Sequence, residues 1–235
     1  MKEAVIVSAA RTPIGKAYRG AFNNLEAPSL SSHAIKAAVE RSGVDPQEID
    51  DVVFGAALQQ GSQGGNLARQ AALAAGLPVT VSGMSLDRQC SSGVMSIATA
   101  AKQIMVDGSP IALAGGCESI SLVQNDKMNM FRAKDPMALA AAPDIYMPML
   151  DTAEYVGKKY NISREAQDEY ALESQMRTAA AQTSGKFDDE IVPVTATQLI
   201  QDRETGEISE QKVTLSKDEG NRPSTTLEGL SGLKT

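Results

Sequence analysis

The chain has 235 residues, of which 42% are hydrophobic and 22% charged, a composition typical of globular proteins with about one to two domains. Its net charge of −7 argues against a nucleic-acid-binding surface, which would be basic. No apolar run approaches the roughly 18 residues of a membrane span, and two cysteines are too few for a disulfide framework. We therefore expect a cytoplasmic protein without a nucleic-acid or membrane partner.

The first half of the sequence alternates predicted strands with predicted helices. Short runs of apolar and β-branched residues predict strands at 3–8, 51–57, 79–86 and 110–116. Apolar residues at helical spacing predict helices at 31–41, 66–75 and from Ser91 or Ser92 to Gly108. This alternation is typical of βαβ units, so we predict an α/β fold with a mixed, mainly parallel sheet flanked by helices.

The character of the sequence changes after Ser121, where methionines and prolines become frequent. Further along, the predicted elements are helices at 152–160 and 163–183, a strand at 188–197 and a hairpin turn at 204–207. We therefore place a domain boundary here. It separates an α/β domain over residues 1–121 from an α+β domain over residues 122–235.

Cys90 stands between the third predicted strand and the helix that follows it. A thiol at such a junction meets unpaired N–H groups and the positive end of the helix dipole, which favours its thiolate form. Ligands of parallel sheets bind at the carboxyl ends of strands, which is where Cys90 is predicted to lie. Cys90 is thus the candidate nucleophile, and the alternative is a buried structural cysteine.

Six motifs occur in a fixed order along the chain. They are SAARTPIG at 8–15, NLAR at 66–69, QCSSG at 89–93, GGCESIS at 115–121, TAE at 152–154 with SREAQD at 163–168, and DEGNRPSTTL at 218–227. In this order they resemble the thiolases, the family of 3-ketoacyl-CoA thiolases and acetyl-CoA acetyltransferases. The resemblance covers the whole chain.

The resemblance implies a thiolase-like fold and an acyltransferase of fatty acid metabolism. In such enzymes the cysteine that matches Cys90 attacks the carbonyl of a 3-oxoacyl-CoA, acetyl-CoA leaves, and a second CoA collects the acyl group from sulfur. Acyl-CoA and CoA are then substrates, and neither a bound cofactor nor a metal is implied. By the same resemblance, residues 1–121 are the half that carries the nucleophile, residues 122–235 are a loop domain that covers CoA, and the protein is a homo-oligomer, a dimer or a tetramer.

The resemblance also assigns three substrate-binding residues. Arg222 and Thr225 match positions that hold the nucleotide end of CoA, where a guanidinium stacks on adenine and donates to phosphate. Met149 matches a residue beside the thioester. Its neighbours Pro148 and Leu150 depart from the pattern of acetyl-specific members, which favours a broader or longer acyl range.

Thiolases take their acid–base groups from a second, C-terminal half with a Gly-His-Pro histidine and a second cysteine. This sequence contains neither motif, and its single histidine, His33, is predicted to lie on the surface of an early helix. We therefore expect the chain to be the N-terminal half plus loop domain, without efficient turnover alone.

Three alternatives remain open at this point. The first is a condensing ketoacyl synthase or a lipid-transfer relative within the same superfamily. The second is a non-catalytic acyl-CoA-binding or assembly subunit that works with a separate C-terminal chain. The third is a redox thiol protein using Cys90 and Cys117, although Cys117 is expected to serve packing.

Overall fold

A computed structural model describes residues 2–234. Its contacts form two compact units. The first unit comprises the chain up to Met128 together with Asp188–Gly220, and the second comprises Asn129–Phe187 together with the residues from Asn221 onward. Within the described range, no helix combines the length and the apolar character that crossing a membrane requires.

The first unit is built on a three-stranded sheet in which every neighbouring pair of strands is parallel. The strands are β1 (Asp51–Gly55), β2 (Ser82–Leu86) and β3 (Ala112–Gly116), in the order β2–β1–β3. The register places Val53 opposite Met84 on one side and opposite Ala114 on the other. The central strand is almost entirely buried, as expected for a parallel strand covered on both faces. The predicted α/β fold class is therefore confirmed.

Helices cover both faces of this sheet. They are α1 (Ala27–Ser42), α2 (Leu67–Ala74) and α3 (Ser92–Lys102). The short α4 (Ile120–Val123) contacts one of two single 3-10 turns, which lie at Pro46–Glu48 and Gly61–Gln63. Ile35 of α1 and Leu67 of α2 share one core cluster with Phe54 of β1. The start of α3 packs on the opposite face, against Gly55.

The end of α3 follows the sequence prediction closely. The helix continues as a π-helical turn over Gln103–Asp107 and ends at Gly108. The φ angle of Gly108 is +85°, a left-handed conformation that glycine adopts without steric cost and that commonly ends helices. The glycine predicted to end the helix therefore does so.

The segment 188–220 belongs to the first unit, although the sequence assigned it to the second domain. It forms an antiparallel hairpin of β4 (Val194–Gln201) and β5 (Ile208–Leu215), and Val194 packs against Phe22 in a small core cluster. Arg11 also donates to both carboxylate oxygens of Asp218, at 2.7 and 3.0 Å. The compact units therefore differ from the predicted boundary at residue 121, because contacts between residues some 200 positions apart attach this segment to the N-terminal part.

Local differences concern the ends of elements. Residues 2–10 belong to no helix or strand, so the strand predicted at 3–8 is not formed. The strand predicted at 79–86 begins only at Ser82, and α1 begins at Ala27, four residues before its predicted start. Pro28 in the first turn of α1 fits this earlier start, since proline lacks an N–H that would be unpaired there anyway.

The elements of the second unit are all helical. They are α5 (Pro136–Ala141), α6 (Met149–Lys159), α7 (Arg164–Thr183) and α8 (Leu227–Ser231). Helix α7 begins as predicted, because the hydroxyl of Ser163 accepts the N–H of Ala166 at 3.2 Å. The guanidinium of Arg164 donates to Asp168 within α7 and to the carbonyl of Leu230 in α8, which joins the two helices.

Candidate active site

Cys90 lies in the turn between β2 and α3, four residues after the last residue of the strand and two before the first residue of the helix. Its side chain is exposed. The alternative of a cysteine sealed inside the core therefore does not describe this position. The thiol stands at the carboxyl end of a parallel strand and at the amino end of a helix, as the sequence predicted.

The turn that carries Cys90 is closed by the hydroxyl of Ser92. This hydroxyl accepts the N–H of Arg88 at 2.8 Å and donates to the carbonyl of Gln89 at 2.6 Å. Gln89 has a φ angle of +51°, an unusual left-handed conformation for a residue other than glycine, and its N–H donates to the carboxylate of Asp87 at 2.6 Å. A network of short-range hydrogen bonds thus fixes the backbone on both sides of Cys90.

This turn rests directly on the end of β1. A Cβ atom added at Gly55 would lie 2.3 Å from the carbonyl carbon of Ser92 and 2.7 Å from its Cβ, distances that real side chains do not adopt. One at Gly116, at the end of β3, would lie 3.3 Å from the Cα of Gly93. Glycines at the ends of β1 and β3 therefore let the start of α3 approach the sheet closely. This close approach sets the position of Cys90 relative to the sheet.

The first turn of α3, which begins two residues after Cys90, carries backbone N–H groups that have no acceptor within residues 2–234. Among the described residues, no hydrogen bond occupies the backbone N–H groups of Gly93 or Val94. Such N–H groups at a helix start, together with the helix dipole, stabilise negative charge that develops nearby. The arrangement is suited to a thiolate nucleophile and to an oxyanion formed when that thiolate attacks a carbonyl.

Cys117 is a different kind of cysteine. It packs against the core cluster of α1, α2 and β1. Burial, with a smaller contribution from the charge of Glu118, raises the pKa of the Cys117 thiol to about 11, against a partial lowering by the nearby hydroxyl of Ser31. The thiol is therefore protonated at neutral pH, which disfavours the redox alternative that pairs it with Cys90.

Glu118 has a structural part in the same region. Its carboxylate accepts the N–H groups of Ala57 at 2.9 Å and Leu58 at 3.2 Å, and the side-chain amide of Gln63 at 2.6 Å. Gln63 is buried, and its amide oxygen accepts the N–H of Ser119. The loop after β1 is thereby tied to the segment after β3. Nothing in the sequence pattern indicated this role of Gln63.

The glycine pair at 115–116 lies at the end of β3. A Cβ at Gly115 would collide with the ring of Phe54 at 2.5 Å, so this glycine serves packing within the sheet. Arg69 donates to the carbonyls of Val79 and Val81. Arg11 forms ion pairs with Glu190 and Asp218.

The three predicted substrate-binding residues lie in the second unit, whereas Cys90 lies in the first. Met149 is the first residue of α6 and is 70% exposed. Arg222 and Thr225 lie together: the Thr225 hydroxyl donates to the Arg222 carbonyl at 2.7 Å, and the Arg222 N–H donates to Gln175 of α7 at 2.8 Å. The backbone of the exposed Arg222 is thus attached to α7, the longest helix, and this hydrogen bond does not involve its guanidinium group.

The next feature is the placement of the side chains that could bind a metal ion. Among residues 2–234, no group of three or more His, Cys, Asp or Glu side chains is placed to hold a metal ion. His33 lies in α1, half-buried, and burial lowers its pKa, with the charge of Lys36 adding to the effect.

Comparisons with known proteins agree with this geometry. The family model described as thiolase, N-terminal domain, matches residues 4–235. A 3-ketoacyl-CoA thiolase of Bacillus subtilis is 44% identical and an acetyl-CoA acetyltransferase of Cupriavidus necator is 43% identical, each over all of this chain and 59% of its own length. The crystal structure of the Bacillus anthracis acetyl-CoA acetyltransferase superposes with a TM-score of 0.80 at 39% identity, again over the whole of this chain and 59% of that one. The chain thus spans about three fifths of the length of these relatives.

Proposed function

This chain belongs to the thiolase family, and from that membership we propose that it supplies the nucleophile of a thiolytic acyltransferase. The reaction is the cleavage of a 3-oxoacyl-CoA by CoA to acetyl-CoA and a shortened acyl-CoA, or the reverse condensation. The observation that carries the proposal is the exposed Cys90 thiol at the start of α3. Covalent catalysis of this kind divides one difficult transfer into two easier steps.

In the first step the Cys90 thiolate attacks the 3-oxo carbonyl, and the N–H donors of the first turn of α3 stabilise the oxyanion. The carbon–carbon bond then breaks, its electron pair leaves with the acetyl-CoA fragment, and that fragment takes up a proton at the carbon released. The acyl group remains on sulfur as a thioester. In the second step a CoA thiolate attacks this thioester, and the Cys90 thiolate leaves.

The remaining assignments follow the same proposal. Arg222 and Thr225 hold the nucleotide end of CoA, and Met149 lies beside the thioester, so that the residues after 121 act as the cover over CoA. CoA and acyl-CoA are the only small molecules required, and no resident cofactor or metal takes part. The acid–base groups come from the C-terminal part that the relatives have in addition. The protein works as a homo-oligomer in the cytoplasm, with an acyl range not restricted to acetyl.

The test is acyl transfer to Cys90, followed by intact mass spectrometry. Acetyl-CoA is the first probe, because exchange of one thioester for another requires a thiolate and oxyanion donors but no cleavage of a carbon–carbon bond. We expect a stoichiometric increment of one acetyl group. It should disappear in Cys90→Ser and persist in Cys117→Ser. Acetoacetyl-CoA with CoA is the second probe, for which we expect no efficient turnover by this chain alone.

Each possible result is decisive. An acetyl group on Cys117, or no acetyl group on folded protein, would contradict the role of Cys90. Turnover of acetoacetyl-CoA at the rate of a complete thiolase would contradict the dependence on a C-terminal part. Tight binding of acyl-CoA without any transfer would favour the non-catalytic binding subunit instead.

A further inference from the structure

The residue before the nucleophile has an unusual backbone conformation. The φ angle of Gln89 is +51°, in a left-handed region that is sterically crowded for residues with a Cβ atom. Asparagine and aspartate adopt this region more often than other residues, because their short side chains bond to the nearby backbone. Glutamine has no such short side chain, so contacts with its neighbours must hold Gln89 in this conformation.

Asp87 supplies one of these contacts. Its carboxylate accepts the N–H of Gln89, two residues further along the chain, at 2.6 Å. This arrangement is an Asx-turn, and a hydrogen bond to a charged acceptor is stronger than one between neutral groups. Within residues 2–234, the structure gives the Asp87 side chain no other hydrogen bond or ion pair. The turn that carries Cys90 is therefore the place where this carboxylate acts.

The position of Asp87 is set by the sheet. Asp87 follows Leu86, the last residue of β2, which pairs with β1. The carbonyl of Leu86 accepts the N–H of Ala56 at 3.1 Å, so the strand stays hydrogen-bonded up to the residue before Asp87. Asp87 thus holds the turn from the strand side, whereas Ser92 holds it from the helix side through the carbonyl of Gln89.

We propose that Asp87 is a positioning residue for Cys90. Its carboxylate holds Gln89 in the left-handed conformation, and this conformation fixes the direction of the peptide bond that leads into Cys90. Asp87 acts through the backbone, since no hydrogen bond joins its side chain to the Cys90 thiol in the described part of the chain. The proposal rests on the proposed function, in which the sulfur atom must lie close to a carbonyl carbon, and it adds a residue which that function does not name.

The test compares two substitutions of Asp87 in the assay of acetyl transfer from acetyl-CoA to Cys90. Asp87→Ala removes the acceptor, whereas Asp87→Asn keeps a side-chain oxygen and removes the charge. We expect Asp87→Ala to lower the maximal rate about tenfold, with an unchanged acetyl-CoA concentration at half-saturation, because the thiol is misplaced while substrate binding is kept. Asp87→Asn should stay within about threefold of wild type, the difference between a charged and a neutral acceptor.

A substitution of Gln89 tests the backbone conformation directly. Glycine adopts positive φ angles without steric cost, so Gln89→Gly makes the contact with Asp87 less necessary. In a protein that carries Gln89→Gly, Asp87→Ala should therefore lower the rate by less than about threefold. Hydrogen exchange of the Gln89 amide, followed by NMR, should be at least about tenfold faster in Asp87→Ala and nearly unchanged in Asp87→Asn.

Asp202→Ala is the matched control. Asp202 is also exposed, and its carboxylate accepts the N–H groups of Glu204 and Thr205, at 2.8 and 2.7 Å, in the turn between β4 and β5. The variant removes the same charge and the same type of contact from a different turn. Its rate of acetyl transfer should equal that of wild type.

Four outcomes would overturn the role of Asp87. An unchanged maximal rate in Asp87→Ala, with an active wild type, would do so and leave the role of Cys90 intact. Equal losses in Asp87→Ala and Asp87→Asn would make the charge responsible rather than the hydrogen bond. Full additivity of Asp87→Ala and Gln89→Gly would show that the two residues do not act through one conformation. Absence of acetyl transfer by the folded wild-type chain would contradict the role of Cys90 itself, and with it that of Asp87.

Discussion

The substitution Gly55→Ala should displace Cys90 without touching it. The added Cβ would lie 2.3 Å from the carbonyl carbon of Ser92 and 2.4 Å from its oxygen, whereas ordinary contacts begin at 3.4 Å. Both of these atoms belong to the backbone, so the start of α3 must move by about 1 Å. Overpacking of this kind costs about 1–3 kcal/mol of folding free energy. A displacement of about 1 Å at a reacting group costs on the order of 100-fold in rate.

The assay for Gly55→Ala is the rate of acetyl transfer from acetyl-CoA to Cys90, measured beside thermal unfolding. Gly157→Ala is the control, because a Cβ at this position in α6 meets only the end of a flexible glutamine at 3.6 Å. The control should keep the wild-type rate and gain up to about 1 kcal/mol from helix propensity. A Gly55→Ala protein that reacts at the wild-type rate would refute the claim that this glycine sets the position of the thiol.

Ser92→Ala examines the same turn without a steric clash. The N–H of Arg88 would lose its side-chain partner, while the carbonyl of Gln89 would keep the N–H of Ser92, and the loss of an ordinary hydrogen bond costs about 0.5–1.5 kcal/mol. We expect a lower unfolding temperature and slower acetyl transfer. Unchanged values for both would show that the turn is held by other contacts.

The remaining predictions concern ionisable groups. At pH 8 an alkylating reagent should modify Cys90 and leave Cys117 unmodified. The reason is that a thiol pKa of about 11 leaves about one Cys117 side chain in a thousand as thiolate at this pH. Modification of Cys117 in the folded protein at pH 8 would contradict its burial. Asp218→Asn should lower the free energy of unfolding by about 1–2 kcal/mol near pH 7 by weakening the contact with Arg11. Hydrogen bonds with Arg11, and with the N–H of Ile14, lower the pKa of Asp218, so the stabilisation is complete above the ordinary value of 3.8 and is lost as the pH falls through the lower folded value. Urea unfolding at pH 7 and pH 3 should therefore show a difference between wild type and variant that shrinks at pH 3, and an equal difference at both would contradict the ion pair.

Local sequence signals determined much of the first unit and the position of its nucleophile. The apolar run before Cys90 and the helical spacing after it predicted a strand–helix junction, and β2 and α3 meet there. The sequence also predicted the start of α7 at Ser163 and the end of the helix at Gly108. These features depend on residues within a few positions of one another. Such residues pair the free backbone groups at helix ends and set the apolar spacing without contacts from the rest of the chain.

Only the tertiary structure decided which distant segments meet. The sequence did not reveal that residues 188–220 belong with the N-terminal part, because that depends on the ion pair of Arg11 with Asp218 and on the packing of Phe22 against Val194. It also did not reveal that Gly55 lies beneath Ser92, or that residues 3–8, with a clear strand pattern, form no strand. A strand requires a neighbour as well as a suitable sequence, since its backbone hydrogen bonds are made with another segment. The local sequence therefore determined that the Cys90 thiol lies at a strand–helix junction. The contacts between distant segments determined which residues fix that junction in place.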